Sequence, residues 1–136
     1  GLDNSRSLVS VNQRLFISDW GPYDGDFNNP DSYIAVVNDL NGGPIAKKIP
    51  VSSRPEGMIV AGNFIYVACS AAKKFDVISI ASETLAASVA VEGTPSEFLQ
   101  IEGRLFLYAT DENNVFFHEV NPGNYTVVKT TKIPSL

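Results

Sequence analysis

Pairs of short apolar runs, each pair joined by a turn containing glycine or asparagine, recur along the chain. The run 58–61 is followed by Gly62 and Asn63 and then by the run 64–69, and the run 98–101 is followed in the same way by 105–108. Residues 9–17 form an earlier copy. This spacing predicts tight antiparallel hairpins, because glycine accepts the positive φ angles that such turns need.

Two further runs complete each unit and make it a sheet of four strands. The third runs are 33–37, 75–80 and 115–120. The fourth run alternates, which predicts that Leu85, Ala87, Val89 and Val91 share one face. The second run, 64–69, is apolar at every position, which is typical of a strand covered on both sides.

The units repeat at an interval of about forty residues. The positions that match are Ile45 and Leu85, Ile49 and Val89, Val51 and Val91, and Pro55 and Pro95, with Tyr125 continuing the series from Leu85. Four-stranded sheets repeated at this period predict an all-β fold, a partial β-propeller of about three four-stranded antiparallel blades. We expect one domain, 1–136, with approximate blade units 8–57, 58–97 and 98–136.

One segment also fits a helix. Residues 82–89 are rich in alanine, and Ser82 is a residue type that caps helices. The repeat favours a strand there, because the corresponding segments 45–51 and 125–132 have proline, glycine and β-branched residues in or beside them.

The central repeat carries three short motifs: Arg54-Pro55-Glu56-Gly57, Ile65-Tyr66-Val67-Ala68, and Asp76-Val77-Ile78-Ser79-Ile80. In these motifs the chain resembles the YVTN-type β-propeller repeat of bacterial and archaeal surface-layer and YncE-like proteins. The flanking units depart from the pattern, since 106–109 is shifted and 116–119 reads Phe-Phe-His-Glu. The resemblance implies a binding or scaffold module that is secreted, periplasmic or at the cell surface.

Closed propellers have about four to eight blades, whereas this chain of 136 residues provides about three. We therefore expect that further blades of a larger propeller, or association with a second copy, cover the open blade faces. The chain begins at Gly1 without an initiator methionine, which is typical of a trimmed chain whose signal peptide would lie upstream.

Charge and composition exclude several classes of function. The net charge is −5 and no cluster of basic residues exceeds two, so we predict no nucleic-acid partner. The apolar runs are far shorter than the 18 or so residues of a membrane span, so we predict no transmembrane segment. The lone Cys69 excludes an intrachain disulfide and a cysteine-based zinc site.

The most distinctive segment is an insertion, 19–31, between the second and third runs of the first unit. The order of strands in a propeller places such a loop on the same face as the loops that lead into the first strands. The candidate ligand-binding residues on this face are Trp20, Tyr23, Phe27, Arg54, Glu56, Lys73, Lys74 and Glu97. Exposed aromatic and charged groups on a rigid scaffold are typical of sites for a protein, peptide or glycan. The alternative is that the aromatic side chains fold back and fill a gap in the blade.

The same insertion contains Asp24, Asp26 and Asn28, whose alternate spacing resembles the start of a calcium loop. The glycine and the closing glutamate of an EF-hand are replaced by Asn29 and Ala35. Calcium is therefore kept only as an alternative, and no metal or other cofactor is predicted.

Catalytic motifs are scarce. The single histidine, His118, lies within an apolar run, which predicts a packed and hydrogen-bonded side chain, and Cys69 is predicted to be a small core residue. The alternative function is a fragment of a propeller enzyme, such as a lactonase, lyase or quinoprotein-like dehydrogenase, with its active site in the central channel. The first strands 58–60 and 98–100 offer only Gln100 as a polar residue, which favours binding over catalysis.

Overall fold

The computed structural model describes residues 1–23, 25 and 28–135. All regular secondary structure in these ranges is β, arranged as three four-stranded sheets. The first sheet contains β1 (Ser5–Val11), β2 (Arg14–Asp19), β3 (Tyr33–Val37) and β4 (Lys47–Pro50). The second contains β5 (Pro55–Ala61), β6 (Phe64–Cys69), β7 (Lys74–Ser79) and β8 (Thr84–Ala90). The third contains β9 (Thr94–Ile101), β10 (Arg104–Thr110), β11 (Asn114–Asn121) and β12 (Thr126–Pro134).

Each sheet is an antiparallel meander in which consecutive strands are neighbours. The first strands β1, β5 and β9 contact one another in turn, as the innermost strands of adjacent propeller blades do. The predicted all-β fold of about three four-stranded blades is confirmed. The helical alternative for 82–89 is wrong, because β8 spans Thr84–Ala90 and pairs with β7.

The register of the strands confirms the forty-residue repeat in the first two blades. Ile49 pairs with Ile34 in the first sheet, and Val89 pairs with Phe75 in the second. Pro55 pairs with Cys69, the last residue of β6, and Pro95 pairs with Ala109 in the following sheet. Both prolines lie at the start of a first strand, where a missing N–H is tolerated, and not in the preceding loop.

The predicted match between Tyr125 and Leu85 is wrong. The Tyr125 amide donates to Asn121 O at 2.9 Å, as the Glu83 amide donates to Ser79 O at 2.9 Å. Tyr125 and Glu83 also share a positive φ, 60° and 55°. Tyr125 therefore corresponds to Glu83. The offset is 42 residues because the hairpin of β10 and β11 has one more residue pair than that of β6 and β7: Ala109 pairs with Phe116 as Cys69 pairs with Lys74, and Thr110 and Val115 form the additional pair.

The predicted shared face of the fourth run also needs a correction at one position. A register shift separates the pairs Val77–Ala87 and Ile78–Leu85, so β8 contains a bulge. A bulge moves the following side chain to the other face, and Leu85 accordingly does not share a face with Ala87. Its exposed fraction is 44%.

Apolar side chains fill the two layers between the sheets. The first layer joins Phe16, Ile34, Val36 and Ile49 to Ile65, Val67, Cys69 and Ile78. The second layer joins Tyr66, Ala68, Phe75 and Val77 to Phe98, Leu105, Leu107 and Val120. Strand β6 contributes to both layers, and its residues 65–69 are all fully buried, which confirms the prediction of a strand covered on both sides.

Side chains at equivalent positions of the two layers form different kinds of contact. Arg14, the first residue of β2, forms an ion pair with Glu83 of the second sheet. Phe64, the first residue of β6, packs edge-to-face on Tyr125 of the third sheet, with ring centroids 5.3 Å apart. A charged pair in one layer thus occupies the place of an aromatic pair in the next.

Two buried polar side chains fasten the loops that connect the blades. Asp76 of β7 accepts hydrogen bonds from Ser52 N at 2.7 Å, Ser52 Oγ at 2.9 Å and Ser88 Oγ at 2.7 Å. His118, at the matching position of β11, has Nε2 2.8 Å from Glu92 O and Nδ1 2.8 Å from Thr130 Oγ1. A carbonyl oxygen only accepts, so Nε2 carries the proton. His118 is packed and hydrogen-bonded, as predicted.

Candidate binding site around Trp20

The candidate site begins at the end of β2, where the carboxylate of Asp19 binds backbone amides and fixes the path of the chain. Asp19 is fully buried and accepts hydrogen bonds from the amides of Asp3 at 3.0 Å, Asn4 at 2.9 Å and Gly21 at 2.8 Å. Gly21 has a φ of 84°, and a Cβ atom there would lie 2.3 Å from Asp31 O. These contacts hold both ends of the insertion close to the N-terminal segment.

A second set of hydrogen bonds joins the insertion to the loop between the first two blades. Ser32 Oγ lies 2.7 Å from Asn29 O and 3.0 Å from Trp20 O, and it accepts a hydrogen bond from Arg54 N at 3.1 Å. Arg54 Nε donates to Asn29 Oδ1 at 2.8 Å. Asn29 is buried, with an exposed fraction of 5%. The position of Arg54 is therefore fixed through both its backbone and its side chain.

Trp20 lies at the centre of this arrangement and contacts two arginines. The Cζ atom of Arg6 is 3.6 Å from the centroid of the indole ring, and that of Arg54 is 4.4 Å away. The indole Nε1 donates to Glu56 Oε1 at 3.3 Å, and Ser70 Oγ donates to Glu56 Oε2 at 2.7 Å. The indole ring and its N–H group therefore both have partners, and we name the set Arg6, Trp20, Arg54 and Glu56 the Trp20 cluster.

A cavity of about 240 Å³ opens beside the Trp20 cluster. Its lining residues are Asp3, Asn4, Trp20, Gly21, Tyr23, Asn29 and Arg54. The side chain of Tyr23 is largely exposed, at 73%. Asp3, which lines the cavity, accepts a hydrogen bond at 2.8 Å from the hydroxyl of Tyr33 to its Oδ2 atom. Burial, and then that hydrogen bond, raise the pKa of Tyr33, so its hydroxyl stays protonated and orients Asp3.

The four arginines of the chain fall into two pairs. Arg14 and Arg104 each form an ion pair, with Glu83 and Glu119. The Arg104 guanidinium accordingly lowers the pKa of Glu119. Arg6 and Arg54 take part in none of the ion pairs formed by the described residues; they contact Trp20 instead.

The structure brings together some of the residues that the sequence singles out. Trp20 contacts both Arg54 and Glu56, and Tyr23 lines the adjoining cavity. Glu97 is exposed and lies next to Gly57, since a Cβ atom on Gly57 would be 3.0 Å from the Glu97 Cα.

The remaining predicted residues are not part of the cluster. Lys73 and Lys74 lie at the turn into β7, where Lys73 O accepts a hydrogen bond from Val91 N. Phe27, Asp24 and Asp26 lie outside the described residues, and Asn28 is exposed. Within the part of the chain that the structure describes, no three His, Cys, Asp or Glu side chains form a group suited to a metal ion. Calcium binding at Asp24, Asp26 and Asn28 stays a prediction.

Arg6, Asn29 and Asp3 are among the contributors to the site that were not predicted. The sequence-based first unit starts at residue 8, whereas β1 begins at Ser5 and so includes Arg6. In the second blade the first strand begins at Pro55. A first strand predicted to begin at the matching position of the first blade would have placed Arg6 at the position equivalent to Glu56.

Cys69 has no part in this site. It is fully buried in β6. Burial, and after it the nearby Asp76 carboxylate, raise the pKa of its thiol, which therefore stays protonated. This agrees with its prediction as a small core residue. Among the described residues, moreover, no helix has the length and apolar character needed to cross a bilayer.

Comparison with known proteins identifies the fold. No protein-family model and no curated protein matches the chain. Among solved structures, hydrazine synthase of Kuenenia stuttgartiensis matches with a TM-score of 0.68 and 18% identity over 87% of this chain and 32% of that one. Xyloglucan PUL GH43B of Bacteroides ovatus matches with a TM-score of 0.66 and 13% identity over 100% of this chain and 32% of that one.

A third match is to an inferred exported protein of Bacteroides fragilis, with a TM-score of 0.61 and 16% identity over 96% of this chain and 38% of that one. The chain thus spans about a third of the length of these proteins. Identities this low establish the fold and not the activity. The chain is a partial β-propeller of three four-stranded blades.

Proposed function

We propose that this chain is a non-catalytic binding or scaffold module that recognises a protein, peptide or glycan through the loop face around Trp20. The observation that carries the proposal is the Trp20 cluster with its adjoining cavity of about 240 Å³. Hydrogen bonds from three blade segments hold the cluster in place, so a ligand would meet a surface that is already ordered.

The proposal extends to the organisation of the chain. It forms one domain, 1–136, with units 8–57, 58–97 and 98–136, of the YVTN type found in surface-layer and YncE-like proteins. Leu8 and Ile101, on the outward faces of the first and third sheets, are 58% and 52% exposed. Further blades or a second copy cover these faces. The protein is secreted, periplasmic or at the cell surface; the inferred exported protein among the matched structures supports this location.

Array binding tests the proposal. Purified protein is applied to a printed glycan array and to a peptide array, and each bound spot is measured again with Trp20→Ala and Tyr23→Ala. We expect both variants to lose the bound spots, because they remove the cluster and the exposed edge of its cavity. Tyr108→Ala is the matched control, since Tyr108 lies on another sheet and packs on Phe117.

Thermal unfolding of each variant establishes that a lost spot reflects the site and not the fold. Tyr23 is 73% exposed, so its replacement should leave the unfolding temperature unchanged. The proposal is overturned if the wild type binds neither array, or if every spot survives in both Trp20→Ala and Tyr23→Ala.

A further inference from the structure

Arg6 and Arg54 are held on Trp20 in a way that leaves their hydrogen-bond donors available. A guanidinium that stacks on an aromatic ring uses its planar face, while its N–H groups point outwards in the plane. Arg54 donates through Nε to Asn29, and neither of its terminal nitrogens has a hydrogen bond among the described residues. Arg6 likewise contacts Trp20 and no hydrogen-bond acceptor among these residues.

The carboxylates described in this region accept hydrogen bonds from other donors. Both oxygens of Glu56 accept hydrogen bonds, from Trp20 and from Ser70. Asp19 accepts three from backbone amides, and Asp3, which lines the cavity, accepts one from Tyr33. None of these carboxylates forms an ion pair with either guanidinium. Among the described residues, the two cations therefore have no carboxylate partner, on a chain whose net charge is −5.

The cavity that Arg54 lines limits the size of the group it accepts. Its volume of about 240 Å³ lies below the range of about 300–1,000 Å³ that is usual for drug-sized ligands. It has room for one sugar ring or one amino-acid side chain. Arginine pairs with a carboxylate through two parallel hydrogen bonds, which are stronger than those between neutral groups.

We propose that Arg54, held in place by Trp20 and Asn29, binds the carboxylate group of an acidic ligand whose remaining part enters the adjoining cavity, while Arg6 on the same indole adds positive charge. This inference rests on the proposed loop-face function and adds the chemical class of the ligand. A sugar acid and an acidic peptide side chain present the same carboxylate, and the experiment below separates these two sources.

Trp20 is the only tryptophan of the chain, so its fluorescence reports on this site alone. The protein is titrated with glucuronate, with N-acetylglutamate amide as the peptide probe, and with glucose as the neutral match of glucuronate. We expect a saturable change in Trp20 emission with a carboxylate probe and none with glucose. The tighter of the two carboxylate probes identifies the source.

Arg54→Gln tests the cation that lines the cavity, and Arg6→Gln tests the second cation on Trp20. Arg104→Gln is the matched control, because that arginine pairs with Glu119 on another sheet. Arg54→Gln should weaken carboxylate binding by about tenfold or more, the loss expected when one charged hydrogen bond is removed. Arg6→Gln should weaken it less, because Arg6 does not line the cavity. The control should bind as the wild type does. Added salt should also weaken binding, because it screens the attraction between the ligand and these partly exposed cations.

Three results would overturn the inference: saturation by neither carboxylate probe, equal binding of glucose and glucuronate, or unchanged affinity in both site variants. The outcome for the loop-face function is read separately. If a neutral ligand from the arrays needs Trp20 while the carboxylate probes fail, the loop-face function stands and the carboxylate assignment falls. If Trp20→Ala keeps every array ligand, the loop-face function itself fails.

Discussion

Removing the Asp76 carboxylate is expected to destabilise the fold strongly, although Asp76 lies far along the chain from the loop it binds. Asp76 has no solvent exposure, and it accepts three hydrogen bonds, two from Ser52 and one from Ser88. Asp76→Ala leaves the Ser52 amide without its acceptor and opens a void in the middle of β7. Both changes loosen the connection between the first two blades.

The magnitude follows from the number and type of these hydrogen bonds. A hydrogen bond to a charged group contributes about 1.5–3 kcal/mol. Three such bonds do not add, and the alanine also removes the cost of burying a carboxylate, which lowers the total. We expect Asp76→Ala to reduce the free energy of unfolding by about 3–4 kcal/mol. Asp76→Asn keeps one acceptor for the Ser52 amide and lets both serine hydroxyls accept, so its loss should be about 1–2 kcal/mol.

Urea unfolding at pH 7, followed by circular dichroism, measures both variants against the wild type. Ser88→Ala is the matched control, because it removes one hydrogen bond to Asp76 and a longer one, of 3.3 Å, to Ser52 Oγ, and should cost about 1 kcal/mol. The reasoning would be refuted by a loss below about 1 kcal/mol for Asp76→Ala, or by equal losses for alanine and asparagine.

Three further outcomes follow from contacts described above. Gly57→Ala would place a Cβ atom 2.8 Å from Ser96 O and push β5 away from β9. It should therefore lower the free energy of unfolding by about 1–3 kcal/mol in the same urea assay, and an unchanged urea midpoint would contradict this. The raised pKa of Cys69 keeps its thiol protonated at pH 8, so a thiol reagent should react with it only after denaturant is added; rapid labelling of the native protein would show that the strand opens. Arg14→Phe combined with Glu83→Tyr reproduces the aromatic pair of the next layer, so the double variant should be more stable than either single one; additive losses in a double-mutant cycle would argue against the equivalence.

The strands could be predicted from the sequence because burial imposes a simple period on them. Residues 64–69 are apolar at every position because β6 is covered by sheets on both sides. The forty-residue offset between Ile49 and Val89 is retained because the two residues occupy equivalent positions on the fourth strands of their sheets. The exceptions arise from small insertions. Nothing in the alternating pattern around Leu85 shows the bulge in β8. One additional residue pair in the hairpin of β10 and β11 moves Tyr125 off the strand and into contact with Phe64.

The sequence predicts which loops form the candidate site, but it does not predict the side-chain contacts within that site. Trp20, Arg54 and Glu56 stand at segment ends that a propeller brings to one face, so their proximity follows from the order of the strands. The part played by Arg6 depends on how far β1 extends, and that of Asn29 depends on a buried hydrogen bond inside an irregular insertion. Neither a strand limit nor a loop contact leaves a periodic signal in the sequence.

The opposite polarities of Asp76 and His118 have a consequence for assembly of the chain. Tandem units of similar shape are prone to dock in the wrong order while folding. If the second blade took the place of the third, the Asp76 carboxylate would meet the Glu92 carbonyl, acceptor against acceptor. This mismatch would bury unsatisfied polar atoms. The difference between Asp76 and His118 thus favours the native order of the blades over an exchanged one.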